Sequence, residues 1–137
     1  MFEYVEFTAL SCTCQEPTSI LYNLLVMDLT QKHCVPCEGG VSPFDPANAN
    51  MWLRNVKGWR LITGSKKIQK DFTFKNFMEV ISFVNKVAQI SEAEDHHPDL
   101  LIHSYKKLRV TLMTHAIGGL SENDFILAAK IDKLQSV

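Results

Sequence analysis

The sequence predicts an α+β fold in which a four-stranded antiparallel sheet carries three helices packed on one face. Three observations point there. Helical and strand periods follow one another in the order helix, hairpin, helix, strands, helix. Residues 105–114 alternate apolar and polar side chains, as a half-buried strand does. Residues 74–91 repeat apolar side chains at helical spacing along their whole length.

The elements follow in chain order. Residues 1–26 carry no Lys, Arg or Gly and show no clean period, whereas Met27 opens a segment of ordinary composition. We therefore expect an N-terminal extension over residues 1–26 and one domain over 27–137. Gly39, Gly40, Ser42 and Pro43 mark a loop. Asp45 and Pro46 suit the cap and first position of a helix that runs to about Val56 and stops before Gly58. Trp59–Thr63 and Ile68–Phe72, separated by a turn at Gly64 and Ser65, form a hairpin with Ile68, Lys70 and Phe72 on one side. In the helix expected over 74–91, Phe74, Phe77, Met78, Ile81, Val84 and Ala88 form one stripe. Val80, Phe83, Val87 and Ile90 form a second stripe beside it. Together they exceed a single apolar arc, so the helix is expected to be covered twice, either as a well-buried core helix or, the preferred reading, by the sheet and a second subunit. Leu100–His103 makes a short strand, and Tyr105–Thr114 a longer one that turns Leu108, Val110 and Leu112 inward. After Gly118 and Gly119, the run Ser121-Glu-Asn-Asp124 resembles a capping box with Asp in the place of Glu or Gln. A last helix extends to about Leu134 and offers Phe125, Ala128, Ala129, Ile131 and Leu134 for burial.

Composition narrows the function classes. A chain of 137 residues, 46% apolar and 21% charged, can bury one sizeable core. Its net charge of −1 provides no global field toward nucleic acid or membrane, so neither is expected as a partner. The basic run Lys106-Lys107-Leu-Arg109 reads as a solvated strand face. No apolar stretch reaches the roughly 18 residues that span a bilayer, and no basic leader opens the chain, so a cytoplasmic location is expected. The four cysteines, Cys12, Cys14, Cys34 and Cys37, form a C-x-C and a C-x2-C pair. Four thiols could hold zinc, but C-x-C is tighter than the usual knuckles, and reduced cysteines are the preferred reading.

The chemistry concentrates in Glu92-Ala-Glu94-Asp95-His96-His97-Pro98-Asp99, followed by Tyr105, His115 and Asp124. Four of the five histidines lie between residues 96 and 115, close to several carboxylates. The helix is expected to end near Ser91, which places the acids and the His pair in the loop after it. Pro98 biases His97 toward extended backbone, where neighbouring side chains diverge, so His96 and His97 are expected to do different work. Surface polarity at a helix end, a metal site and general acid–base catalysis are the competing accounts. Diverging neighbours share one ion poorly, whereas imidazole exchanges protons near neutral pH.

The same segment resembles the signature of the pterin-4a-carbinolamine dehydratase family. In that pattern an acidic or polar residue is followed by three residues, His-His-Pro, an aromatic, nine residues, a His and then an Asp. Here these are Glu92, His96-His97-Pro98, Tyr105, His115 and Asp124. Cys34-Val-Pro-Cys37-Glu-Gly-Gly40, Gly58-Trp59, Phe72-Thr-Phe74-Lys75 and Gly118-Gly119-Leu120-Ser121 are also similar to the family, and the likeness spans about residues 30–134. Leu100 stands where many relatives carry Trp. The resemblance implies a lyase that dehydrates a 4a-hydroxytetrahydropterin to the quinonoid dihydropterin, in tetrahydrobiopterin recycling beside an aromatic amino-acid hydroxylase. It implies catalytic roles for His96, His97 and His115, with His96 and His115 exchanging protons and His97 orienting the ring. It implies substrate-binding or supporting roles for Glu92, Asp95, Pro98 and Asp124. It implies no cofactor and no metal, and a homodimer or homotetramer. The alternative it carries is a non-catalytic protein-binding or dimerisation module of the same fold.

Overall fold

Side-chain alternation along the strands decides where the core lies. The computed structural model describes residues 27–36 and 41–135. Its four strands are β1 (Arg60–Ile62), β2 (Lys67–Thr73), β3 (Asp99–His103) and β4 (Lys107–Leu112), in the spatial order β1-β2-β4-β3 with every pairing antiparallel. Registers Ile68↔Leu112, Phe72↔Leu108, Leu100↔Val110 and Ile102↔Leu108 put these side chains on one face. Leu108, Val110, Leu112 and Ile68 are fully buried there. The opposite face carries an ionic and polar ladder. Arg60 and Arg109 both donate to the Asp71 carboxylate, and Gln69 bonds Thr111. Arg109 first and Arg60 second hold the Asp71 carboxyl down at about 2.

Three helices cover the apolar face: α1 (Pro46–Leu53), α2 (Phe77–Glu94) and α3 (Glu122–Gln135). Ala49, Val80, Phe83, Val87, Phe125, Leu127, Ala128 and Ile131 join the sheet residues in one core. The α+β expectation of four strands and three helices on one face therefore holds. Leu29, 2% exposed, already belongs to this core. Residues 1–26, and with them the proposed extension, lie outside the described residues. Among the described residues no helix is long and apolar enough to cross a membrane.

Several element ends differ from expectation, each for a local reason. Asp45 caps α1 through Asn48 N–H, with Pro46 at the first position. The helix ends at Leu53 rather than Val56, because Asn55 and Val56 bond back only three residues. α2 starts at Phe77, not Phe74, because Asn76 accepts the Glu79 N–H as cap. It continues to Glu94, one turn beyond Ser91, whose hydroxyl folds back onto the Val87 carbonyl. Glu92 therefore stands on the helix and not in the loop. Tyr105 is not in a strand: it sits at the β3–β4 turn in left-handed backbone (φ 51°), and is exposed.

The two stripes of α2 separate only in part, because Phe74, which precedes the helix, and Val84 of the first stripe also pack against the core. Val80, Phe83 and Val87 are buried against the sheet, while Phe77 and Met78 are 47% and 71% exposed. Phe83 contacts Phe72 and Phe74 with ring centroids 5.2 and 5.1 Å apart. Deleting its ring opens a cavity between helix and sheet, so Phe83→Ala is expected to destabilise by about 3–5 kcal/mol. Urea unfolding measures this, and a loss below about 1 kcal/mol would show that α2 is held by other contacts.

Candidate active site

The end of α2 separates the two adjacent histidines. Asp95 caps the helix in left-handed backbone (φ 49°, ψ 39°), a conformation that Asp tolerates better than most residues. The turn it makes sends His96 inward, and the His96 N–H bonds the Ser91 carbonyl at 3.1 Å. His96 is 9% exposed, and its Nε2 lies 2.8 Å from Oδ1 of Asp124. His97 points outward, as expected of a diverging neighbour, and its Nε2 lies 2.7 Å from Oε1 of Glu92. Both members of that second pair are exposed, so its contribution to stability is small.

Asp124 is completely buried. Besides His96 it accepts the Thr114 hydroxyl at 2.8 Å and the Ser121 N–H at 2.9 Å, both on Oδ2. The Ser121 bond is half of the capping box read from the sequence. The residue that closes the helix start is thus also the one that orients an imidazole. Nε2 of His96 is taken up by Asp124, and Nδ1 is the nitrogen left for a ligand.

His115 arrives from the other side of the site. After β4 the chain makes an isolated bridge, Thr114↔Gly119, closed by Thr114 N–H to Gly119 O at 2.9 Å. Between them lies a single 3₁₀ turn, His115–Ile117, and Gly118 in left-handed backbone (φ 66°). The loop is pinned from outside: a Cβ on Gly119 would meet Pro43 Cβ at 2.6 Å. His115 stands exposed on this loop.

A cavity of ≈340 Å³ lies between these elements, lined by His96, His97, His115 and Asp95 together with Val35, Pro36, Met113, Thr114, Ala116 and Asn123. The three histidines expected to act together therefore share one space. Asp124 lies behind His96. Glu92 and Pro98 are not among the lining residues: Glu92 reaches the site through His97, and half-buried Pro98 leads from it into β3. Two larger clefts, of ≈540 and ≈470 Å³, contain no histidine.

Sequence reasoning missed the wall formed by Val35, Pro36 and Asn123. Residues 32–36 run as a strap across the ends of α2 and α3. Lys32 pairs with Glu122 at 2.5 Å. The Cys34 N–H donates to Glu94 at 2.8 Å, and Val35 is held by Asn123. The signal available was the Cys34-Val-Pro-Cys37 likeness, which carried no structural role by itself. Burial, with the Glu94 carboxylate close by, pushes the Cys34 thiol up to about 12, so it is a poor nucleophile or metal ligand near neutral pH. Cys12, Cys14 and Cys37 lie outside the described residues.

Comparison with known proteins adds an independent finding. A family model described as pterin 4 alpha carbinolamine dehydratase matches residues 42–134. A protein of Halorhodospira halophila is 52% identical over 108 residues, covering 79% of this chain and 98% of its own length. One from Nitrosomonas europaea is 51% identical over 110 residues, covering 80% and 95%. Both carry the name "Putative pterin-4-alpha-carbinolamine dehydratase". Among solved structures, a transcriptional coactivator/pterin dehydratase from Brucella melitensis aligns with a TM-score of 0.63 at 31% identity, over 68% of this chain and 98% of its own.

The anchor beneath the strap has a defined pH signature. Burial pushes the Glu94 carboxyl up, but hydrogen bonds from Lys130, the Cys34 N–H and His33 outweigh it and hold the group at about 2, against an ordinary 4.5. Its share of stability is complete above pH 4.5 and disappears as the pH falls toward 2. Glu94→Gln is therefore expected to be less stable than wild type at neutral pH, with the gap closing through that acid window. Urea midpoints followed from neutrality into acid test this, and a gap that does not change with pH would overturn it.

Proposed function

This chain belongs to the pterin-4a-carbinolamine dehydratase family, and from that premise we propose that it removes water from a 4a-hydroxytetrahydropterin by histidine acid–base catalysis. The observation that carries the proposal is the convergence of His96, His97 and His115 on one cavity, with His96 fixed by a buried carboxylate. The quinonoid dihydropterin it forms is the species that pterin recycling after aromatic hydroxylation returns to the reduced state.

The reaction is redox-neutral. The N5 lone pair forms a C4a=N5 bond as the C4a–O bond breaks, the departing hydroxyl takes a proton, and N5 loses one. With Nε2 of His96 engaged by Asp124, Nδ1 is the nitrogen that faces the ligand and is suited to take the N5 proton. His115, on its exposed loop, then delivers a proton to the leaving oxygen. His97, braced by Glu92, orients the ring, and Asp95 on the cavity wall is placed to accept a pterin N–H. Pro98 holds His97 in the divergent backbone this arrangement needs. Positioned acids and bases of this kind contribute about 10²–10⁴-fold each.

A second copy of the chain is the partner proposed for α2. Phe77 and Met78 stand exposed on α2, with Ile81 half-buried beside them. Apolar stripes of this size are normally covered. The same stripe would serve a non-catalytic binding module, and the histidine set is what favours the enzyme.

Turnover of a synthetic 4a-hydroxytetrahydropterin is the deciding measurement. His96→Ala and His115→Ala are each expected to lower kcat by about 10²-fold or more while the circular dichroism spectrum is retained. Near-wild-type turnover in both would remove them from the mechanism. In sedimentation velocity the wild-type chain is expected as a dimer or tetramer and Met78→Glu as a smaller species. A monomeric wild type would remove α2 as an interface.

A further inference from the structure

The first turn of α3 sets two buried polar side chains next to each other, and they serve two walls of one cavity. Asp124 holds His96. Asn123, 4% exposed, holds the backbone of Val35 in both directions. The Val35 N–H donates to Asn123 Oδ1 at 3.1 Å, and Asn123 Nδ2 donates to the Val35 carbonyl at 2.7 Å. The Cys34 thiol adds a contact to the Asn123 carbonyl at 3.7 Å. A primary amide that bonds both polar groups of one residue acts like a single rung of a β-ladder, and fixes where that residue's backbone lies.

Val35 and Pro36 line the cavity beside the histidines. The Val35 side chain does not secure them, since Val35 is 67% exposed. The strap's other anchors, Lys32 to Glu122 and Cys34 to Glu94, come earlier in the chain. The strap also precedes residues 42–134, the part of the chain that the family model matches. The wall thus depends on side-chain-to-backbone bonds, and Asn123 supplies the pair at the wall itself.

We infer that Asn123 is a positioning residue: it holds the Val35–Pro36 segment as a wall of the pterin cavity and so sets substrate affinity, while its neighbour Asp124 acts on turnover through His96. The positioning role rests on the function proposed above. Adjacent residues on one helix turn would then have opposite kinetic signatures. Loss of Asn123 weakens binding, and loss of the Asp124 carboxylate slows chemistry.

The test uses the full chain in three variants. Asn123→Ala removes both bonds, Val35→Pro removes the donated N–H while leaving Asn123 in place, and the third variant combines the two changes. KM for the synthetic carbinolamine, and Kd for the non-reacting 7,8-dihydrobiopterin, are each expected to rise about tenfold in either single variant. For kcat, a change of no more than about twofold is expected, the pattern of lost uniform binding. The double variant should be no worse than either single one, because both break the same link. Amide exchange over residues 33–36 should quicken in Asn123→Ala. If Asn123→Ala fails to fold, Val35→Pro carries the decision. Unchanged KM and Kd, a fall in kcat at constant KM, or additive effects in the double variant would each overturn the positioning role alone. Wild-type protein that neither binds nor turns over a pterin would instead overturn the functional proposal, and the positioning role with it.

Discussion

A carboxylate with no access to water must have its lone pairs filled by the protein, and Asp124 meets that requirement by drawing three chain segments together. His96 from the end of α2, Thr114 from the exit of β4 and Ser121 from the start of α3 all bond to it. His96 comes from 28 positions before Asp124, whereas Thr114 and Ser121 flank the loop just ahead of α3, so the carboxylate joins the end of α2 to that loop. Leaving a donor out would leave a buried acceptor unfilled, which costs more than the lost hydrogen bond itself. The geometry of the cavity follows: with Asp124 in place, the His96 ring has one orientation, and the loop bearing His115 has a fixed root at Thr114.

Around that joint, backbone conformation does much of the aiming. Asp95 and Gly118 occupy left-handed backbone at the two turns that deliver the histidines. At Asp95 the turn lets the chain leave the helix and send His96 inward and His97 outward. Gly119 lies against Pro43 with no room for a Cβ, which ties the His115 loop to the segment leading into α1. His97 and His115 are exposed and His96 is only just covered, and the group that holds His96, Asp124, is buried, whereas Glu92, which holds His97, is exposed. The Asp124–His96 bond is thereby shielded from competing water.

The strap and the outer stripe of α2 are held in contrasting ways. The strap is secured by polar bonds to helix ends, from Lys32 to Glu122, from the Cys34 N–H to Glu94 and between Val35 and Asn123. The outer stripe of α2 is apolar and lacks a cover within the described residues. The first arrangement makes a cavity wall sensitive to a few named side chains. The second leaves Phe77 and Met78 exposed to solvent.

Much of the fold was legible from the sequence because it depends on short-range periodicity. Alternation at Leu108, Val110 and Leu112 dictated a strand with one buried face, and the Asp45-Pro46 start announced α1. Element ends were less legible: whether Asn76 or Phe74 begins α2 depends on which side chain captures a free N–H. Of the site, the histidines were visible as a cluster and their divergence followed from Pro98. The identity of each partner was not. Nothing local says that His96 meets a carboxylate 28 positions away, while Glu92, closer in sequence, takes His97. Nor does it say that Val35 is held by a residue 88 positions distant. Sequence by itself determined which segments bury a face and which residue types could exchange protons, since both are set by spacing and chemistry along the chain. Tertiary structure decided which groups pair, because only packing the helix ends against the sheet brings distant donors within reach of one buried acceptor.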